Sequence, residues 1–151
     1  MVRILATLAL GLTLAQPLHA QDAPVLPAPR EITRLVWSTL IAVDQANRTG
    51  NYTVLRDLGA PDFATANDAA RLSQIFATIR EQRLPLDQTV LANPTYTEAP
   101  RLLENGRLYV KGYFDGRPTA LAFEFLFEEV GGEWRHYGIS VAPETLDTAP
   151  E

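Results

Sequence analysis

The chain has 151 residues, with 18 acidic and 13 basic side chains, a formal net charge of −5 and no cysteine. An acidic chain without a block of basic residues is unsuited to binding nucleic acid or anionic membrane surfaces, so neither is expected as a partner. Without cysteine there is no disulfide framework and no thiol for a lipid anchor, so an apolar core must stabilise the fold.

Residues 1–20 are predicted to be a cleavable export signal. Arg3 supplies a positive charge, an apolar run extends from Ile4 to Ala15, and the small residue Ala20 stands before the expected cleavage site. The run is shorter than the about 20 residues of a permanent membrane helix, so no stable membrane anchor is expected. Cleavage before Gln21 leaves a net charge of 12 − 18 = −6. The lack of disulfides favours a bacterial periplasm, so the protein is expected to be periplasmic or secreted.

Three segments are expected after the signal. Residues 21–30 contain three prolines and are predicted to form an extended leader. Residues 31–143 are long enough for one domain with its own core. Residues 144–151 are predicted to form a flexible acidic tail.

Helical periodicity dominates the first part of the domain. Apolar side chains recur every three to four residues over Glu31–Asn47 and predict a helix that Gly50 ends. A short helix is predicted over Tyr52–Leu58, followed by a turn that begins at Pro61. A third helix is predicted over Asn67–Arg83 by the same apolar spacing.

After Leu86 the apolar pattern alternates, which is typical of strands. Asn105-Gly106, Asp115-Gly116 and Gly131-Gly132 predict hairpin turns. They divide this part into five predicted strands, namely Thr89–Ala92, Thr95–Leu103, Arg107–Phe114, Thr119–Val130 and Glu133–Ala142. Helices followed by an antiparallel sheet of four to five strands make an α+β fold, in which the helices cover the phenylalanine-rich face of a curved sheet.

Two segments resemble the nuclear transport factor 2-like (cystatin-like) superfamily. One is Asn51–Leu58 followed by Pro61–Phe63, and the other is Glu133–Val141, in which a tryptophan precedes a glycine-apolar-small-apolar run. Together with the order of elements, the resemblance covers residues 31–143. It implies a cone-shaped fold whose sheet wraps around the helices and leaves a cavity. The superfamily includes isomerases, dehydratases, cyclases and transport adaptors, so the resemblance implies a fold and leaves the function open.

The cavity that the resemblance implies is expected to be lined by the first helix and the sheet, and its default occupant is a small apolar ligand. The residues predicted to line it are Trp37, Asp44, Phe76, Tyr96, Tyr109, Tyr113, Phe123, Phe125 and Tyr137. His136 alternates with Tyr137, Ile139 and Val141 along the last strand. If those three face the helices, His136 lies at the surface.

No motif predicts a reaction, and the catalytic residues remain unassigned. The chain has no Gly-x-Ser-x-Gly elbow, no spaced metal ligands and no phosphate-binding loop, so no metal or cofactor is expected. The first expectation is a non-catalytic exported domain that binds a small apolar ligand in its cone or forms a homodimer through its sheet face. The alternative is a small isomerase, dehydratase or hydrolase that uses a tyrosine and a carboxylate on an apolar carbonyl compound. An envelope accessory protein without a ligand is a third alternative.

Overall fold

The structure, a computed structural model, describes residues 24–84, 86–116 and 119–144. Within these ranges five helices pack with an open antiparallel sheet of five strands, which confirms the α+β class. The predicted signal peptide lies outside the described residues, as do the first three residues of the leader and all but the first residue of the tail. No helix in the described ranges has the length and apolar character that crossing a membrane requires.

Helix α1 (Pro29–Thr49) begins two residues before, and ends two residues after, the predicted bounds. Proline suits the first helical position, where no N–H is needed. Gly50 ends the helix as predicted, because its left-handed backbone (φ 72°) brings its N–H to the Ala46 carbonyl at 2.9 Å. The side of α1 that faces the core carries Ile32, Leu35, Val36, Leu40 and Val43.

Four short helices follow, namely α2 (Thr53–Asp57), α3 (Pro61–Ala66), α4 (Ala69–Ile75) and α5 (Ala77–Glu81). The third predicted helix is therefore two helices. The interruption is at Phe76, whose φ and ψ of −92° and 10° lie outside the helical range. Asp68 caps α4, since its carboxylate accepts the Arg71 N–H at 2.7 Å. Phe76 is buried, so the break places this ring in the core.

The predicted strand Thr89–Ala92 is wrong. Residues Leu86–Leu91 form a 3-10 helix that packs against α1. The Thr89 hydroxyl donates to the Leu86 carbonyl at 2.6 Å, a local bond that favours a turn over a strand. The Trp37 indole N–H donates to the Ala92 carbonyl at 3.3 Å. A short alternating run therefore follows its local hydrogen bonds and its contact with α1 instead of pairing with the sheet.

The sheet contains β1 (Thr95–Tyr96), β2 (Arg101–Leu102), β3 (Leu108–Phe114), β4 (Ala120–Val130) and β5 (Glu133–Glu144). Its order is β1-β3-β4-β5, and β2 also pairs with β3. The predicted strand Thr95–Leu103 is divided into β1 and β2, which fits Pro100, a residue without an N–H for the ladder. Gly131-Gly132 turns β4 into β5 with φ of 62° and 85°, as a two-residue hairpin requires.

The inner face of β4 carries a row of phenylalanines. Neighbouring ring centroids are 5.2 Å apart between Phe123 and Phe125 and 6.0 Å apart between Phe125 and Phe127. All three rings are buried in one core cluster with the apolar side of α1 and with Phe76. Side chains therefore fill the space between the helices and this part of the sheet.

Replacing Phe125 with alanine is expected to lower the free energy of unfolding by about 3 to 5 kcal/mol, because it leaves a cavity in the centre of this row. Urea denaturation measures the change. The matched control is Glu129→Ala, an exposed position of the same strand that lies outside the phenylalanine row. The control should change stability by less than about 1 kcal/mol. Equal losses in the two variants would contradict the assignment of the core.

Candidate functional site

A β-bulge in β5 determines where the only histidine of the described residues points. Leu126 pairs with Gly138, but the next residue of β4, Phe127, pairs with His136. Tyr137 is therefore an extra residue without a partner on β4. One extra residue reverses the alternation of faces beyond it, so His136 turns towards the helices.

The prediction that His136 lies at the surface is wrong, because only 5% of this residue is exposed. The imidazole Nε2 lies 2.9 Å from the Leu55 carbonyl oxygen and donates to it, since a carbonyl oxygen can only accept. The Phe63 ring packs edge-on at a centroid distance of 4.8 Å. The main-chain carbonyl of His136 accepts the Ala60 N–H at 2.9 Å. The segment from α2 to α3 is thus tied to β5 through both the side chain and the main chain of His136.

Gly59 permits this contact because it has no side chain. A Cβ atom at this position would lie 3.0 Å from His136 Nε2 and would also collide with the Phe63 ring. Close-packed interiors have no room for such an atom without a shift of its neighbours. The sequence predicted Gly59 only as a helix stop, and its second role depends on the tertiary contact.

Burial lowers the pKa of His136 to about 4, chiefly because the charged ring would lose its hydration. The hydrogen bond to the Leu55 carbonyl opposes this shift with a smaller effect. The ring is therefore neutral at physiological pH. With the proton on Nε2, the lone pair is on Nδ1.

His136 lines a groove of about 280 Å³ where α1 approaches the hairpin of β4 and β5. Its apolar and hydroxyl-bearing lining consists of Leu35, Ser38, Thr39, Ala42, Leu58, Phe127 and Trp134. Its charged lining consists of Arg34 and Arg135 together with Asp57 and Glu133, whose formal charges sum to zero. Within the part of the chain that the structure describes, no three metal-ligating side chains are grouped to hold an ion.

The nine residues predicted to line a cavity do not meet in one of the described pockets. Phe76, Phe123 and Phe125 are core residues that are no more than 3% exposed. Trp37 and Tyr96 pack against the same core. These five side chains therefore belong to the core or pack against it.

The other four predicted residues lie in two separate places. Asp44 lies on α1 with its carboxylate 3.7 Å from the Arg48 guanidinium, and partial burial raises its pKa. Tyr109 and Tyr113 lie on the outer face of the sheet, opposite the helices. Tyr137 is the bulge residue and also lies on the outer side.

One tyrosine and one carboxylate do approach each other, but on the open face of the sheet. The pKa of the Tyr109 phenol is raised, first by burial and then by the neighbouring Glu124 carboxylate. Glu124 is exposed and lies 3.7 Å from the Lys111 ammonium. This pair lacks the enclosure that an acid–base site uses to exclude water.

The outer face presents aromatic rings covered by arginines. The Arg101 guanidinium carbon lies 4.5 Å from the ring centroid of Tyr109, and that of Arg107 lies 3.5 Å from the centroid of Tyr137. Leu126 pairs with Tyr109 across β3 and β4. These five residues form the outer patch. The sequence singled out the two tyrosines but not the arginines, because no local pattern shows which ring a distant guanidinium will cover.

Comparison of the chain with protein-family models, curated proteins and solved structures finds no match. The His136 groove and the outer patch are the two candidate sites of the described residues.

Replacing His136 with glutamine is expected to reduce the loss of stability in acid. The pKa of His136 is about 4 in the folded protein, against an ordinary value of 6.5, so between these values the unfolded chain binds a proton that the folded chain excludes. The wild-type free energy of unfolding should therefore fall by about 3 kcal/mol as the pH falls through this window. Glutamine keeps an N–H for the Leu55 carbonyl but does not titrate.

Urea unfolding of both proteins at about pH 7 and about pH 4 measures the effect. The carboxylates titrate in both proteins, so the difference between their pH profiles isolates His136. Parallel profiles would contradict a buried, neutral imidazole.

Proposed function

We propose that the chain is an exported, non-catalytic domain of the nuclear transport factor 2-like type that self-associates through the outer face of its sheet. The outer patch is the observation that carries the proposal. Tyrosine and arginine are enriched at the centres of protein interfaces. The cation–π contacts of Arg101 and Arg107 hold the arginine and tyrosine side chains in place before association. The conformational entropy that these side chains lose on binding is therefore smaller.

The packing of the core favours this proposal over a ligand in the cone. The predicted cavity would lie beneath the sheet, where Phe76 and the phenylalanine row of β4 are packed together. A small apolar ligand there would have to displace at least one buried ring. The isomerase-like alternative has less support for the same reason, since Tyr109 and Glu124 lie on the open face.

The charges of the outer face favour a second copy of this chain as the partner. Lys111 and Glu124 lie side by side near the middle of the face, opposite each other in register. A two-fold axis through this point would place the lysine of each copy against the glutamate of the other, as a self-complementary interface requires. Pairing of β5 edges is less favourable, because the Ala60 N–H already occupies the His136 carbonyl on that edge.

Export is tested by expressing the full chain in a bacterium and separating the periplasm from the cytoplasm. The protein should accumulate in the periplasm with the mass of a chain that begins at Gln21, because Ala20 supplies the small residue before the cleavage site. The variant Ala20→Arg should remain uncleaved. A full-length wild-type protein confined to the cytoplasm would rule out the export signal.

Self-association is tested by sedimentation equilibrium of the wild type and of Leu126→Ser. The wild type should be a dimer, and loss of a central apolar contact should weaken the dimer by about 30-fold. The matched control is Ile75→Ser, which removes an apolar side chain of similar size that is 50% exposed on α4. The control should dimerise like the wild type. A monomeric wild type, or a dimer that only the control disrupts, would refute the interface.

A further inference from the structure

His136 is a buried polar residue of the groove, and one of its ring nitrogens is an unused acceptor. Nε2 donates to the Leu55 carbonyl, and no described residue donates to Nδ1. Among the described residues the only fully enclosed side-chain polar atom without a partner is Arg107 Nε, so Nδ1 is not fully enclosed. The groove is a pocket that the His136 side of β5 lines. An acceptor in a largely buried residue is stabilised by a donor from outside the protein.

The charges around the groove favour a neutral ligand. Arg34 donates through Nε to Glu31 at 2.9 Å, and Arg135 Nη2 lies 3.4 Å from Glu133 Oε2. Asp57 is the second carboxylate of the lining, which therefore carries two positive and two negative groups. An anion or a cation entering the groove would have to compete with a partner that is already present.

The size and walls of the groove favour a single ring. At about 30 Å³ for each water in the liquid, a volume of about 280 Å³ holds roughly nine waters or one substituted ring. Trp134 offers a half-buried aromatic surface, and Leu58, which lines the same groove, is 53% exposed. A flat apolar ligand would cover both side chains.

We infer that this groove is a binding site for a small neutral aromatic molecule of the phenol or indole type. Its ring lies against Trp134 and Leu58, and its O–H or N–H donates to His136 Nδ1. The site is separate from the outer patch, so it does not depend on self-association. The site also differs from the cone cavity expected from the sequence, because it lies between α1 and β5 and favours a ligand that carries a hydrogen-bond donor.

The test uses the full chain labelled with ¹⁵N and titrated with p-cresol, with toluene as the matched ligand that lacks the hydroxyl. The chain has two histidines, and the variant His19→Gln identifies the ring signals of His136. Saturating p-cresol should shift the Nδ1 signal and leave the Nε2 signal in place. It should bind about fivefold more tightly than toluene, the effect of one hydrogen bond.

A pair of variants locates the site. Ser38→Leu fills the groove and should weaken p-cresol binding by about tenfold or more, whereas Ser73→Leu makes the same change at a half-buried position of α4 outside the groove and should bind like the wild type. The ring signals of the wild type test the inference whether or not Ser38→Leu folds. An unmoved Nδ1 signal, equal binding of toluene, unchanged binding by a folded Ser38→Leu, or tighter binding of 4-methylbenzoate would each overturn it.

Discussion

The burial of the phenylalanine row of β4 beneath α1 is the interaction on which the other features depend. Phe123, Phe125 and Phe127 point inwards because β4 alternates without interruption, and α1 presents an equally continuous apolar side. Removing several large aromatic side chains from water stabilises the folded chain by about 2 kcal/mol each. In a chain without cysteine this contact replaces a disulfide framework. The same rings fill the space that a cone-shaped domain would offer to a ligand. The candidate sites therefore lie outside this core, in the His136 groove and on the outer face of the sheet.

The bulge at Tyr137 sets which side of β5 each of two neighbouring aromatic residues faces. With the extra residue, His136 faces inwards and reaches the Leu55 carbonyl, while Tyr137 faces outwards and lies under Arg107. A regular β5 strand would exchange these two positions. One local irregularity therefore places a buried acceptor beside the groove and an aromatic ring in the outer patch. Bulges commonly re-aim side chains in this way near binding sites.

The two proposed surfaces use different physics and can be separated experimentally. The outer patch consists of half-buried rings and arginines on a wide open face, which suits another folded surface. The groove is narrow and electrically balanced and has one directional acceptor, which suits a small molecule with one donor. The tie between α2–α3 and β5, made by Gly59 and His136, holds one wall of the groove in place.

The features that depend on neighbouring residues along the chain were predictable from the sequence alone. The apolar period of α1, its end at Gly50 and the Gly131-Gly132 hairpin all follow from local spacing and backbone preference. The 3-10 helix at Leu86–Leu91 and the inward direction of His136 did not follow, because each depends on a contact with a segment distant in sequence. Parity along β5 assumes that every residue has a partner, and only the pairing with β4 reveals that Tyr137 has none. Local spacing therefore predicts α1, the β4–β5 hairpin and their apolar faces. Contacts between distant segments set the breaks within elements and the burial of His136, because no local pattern records them.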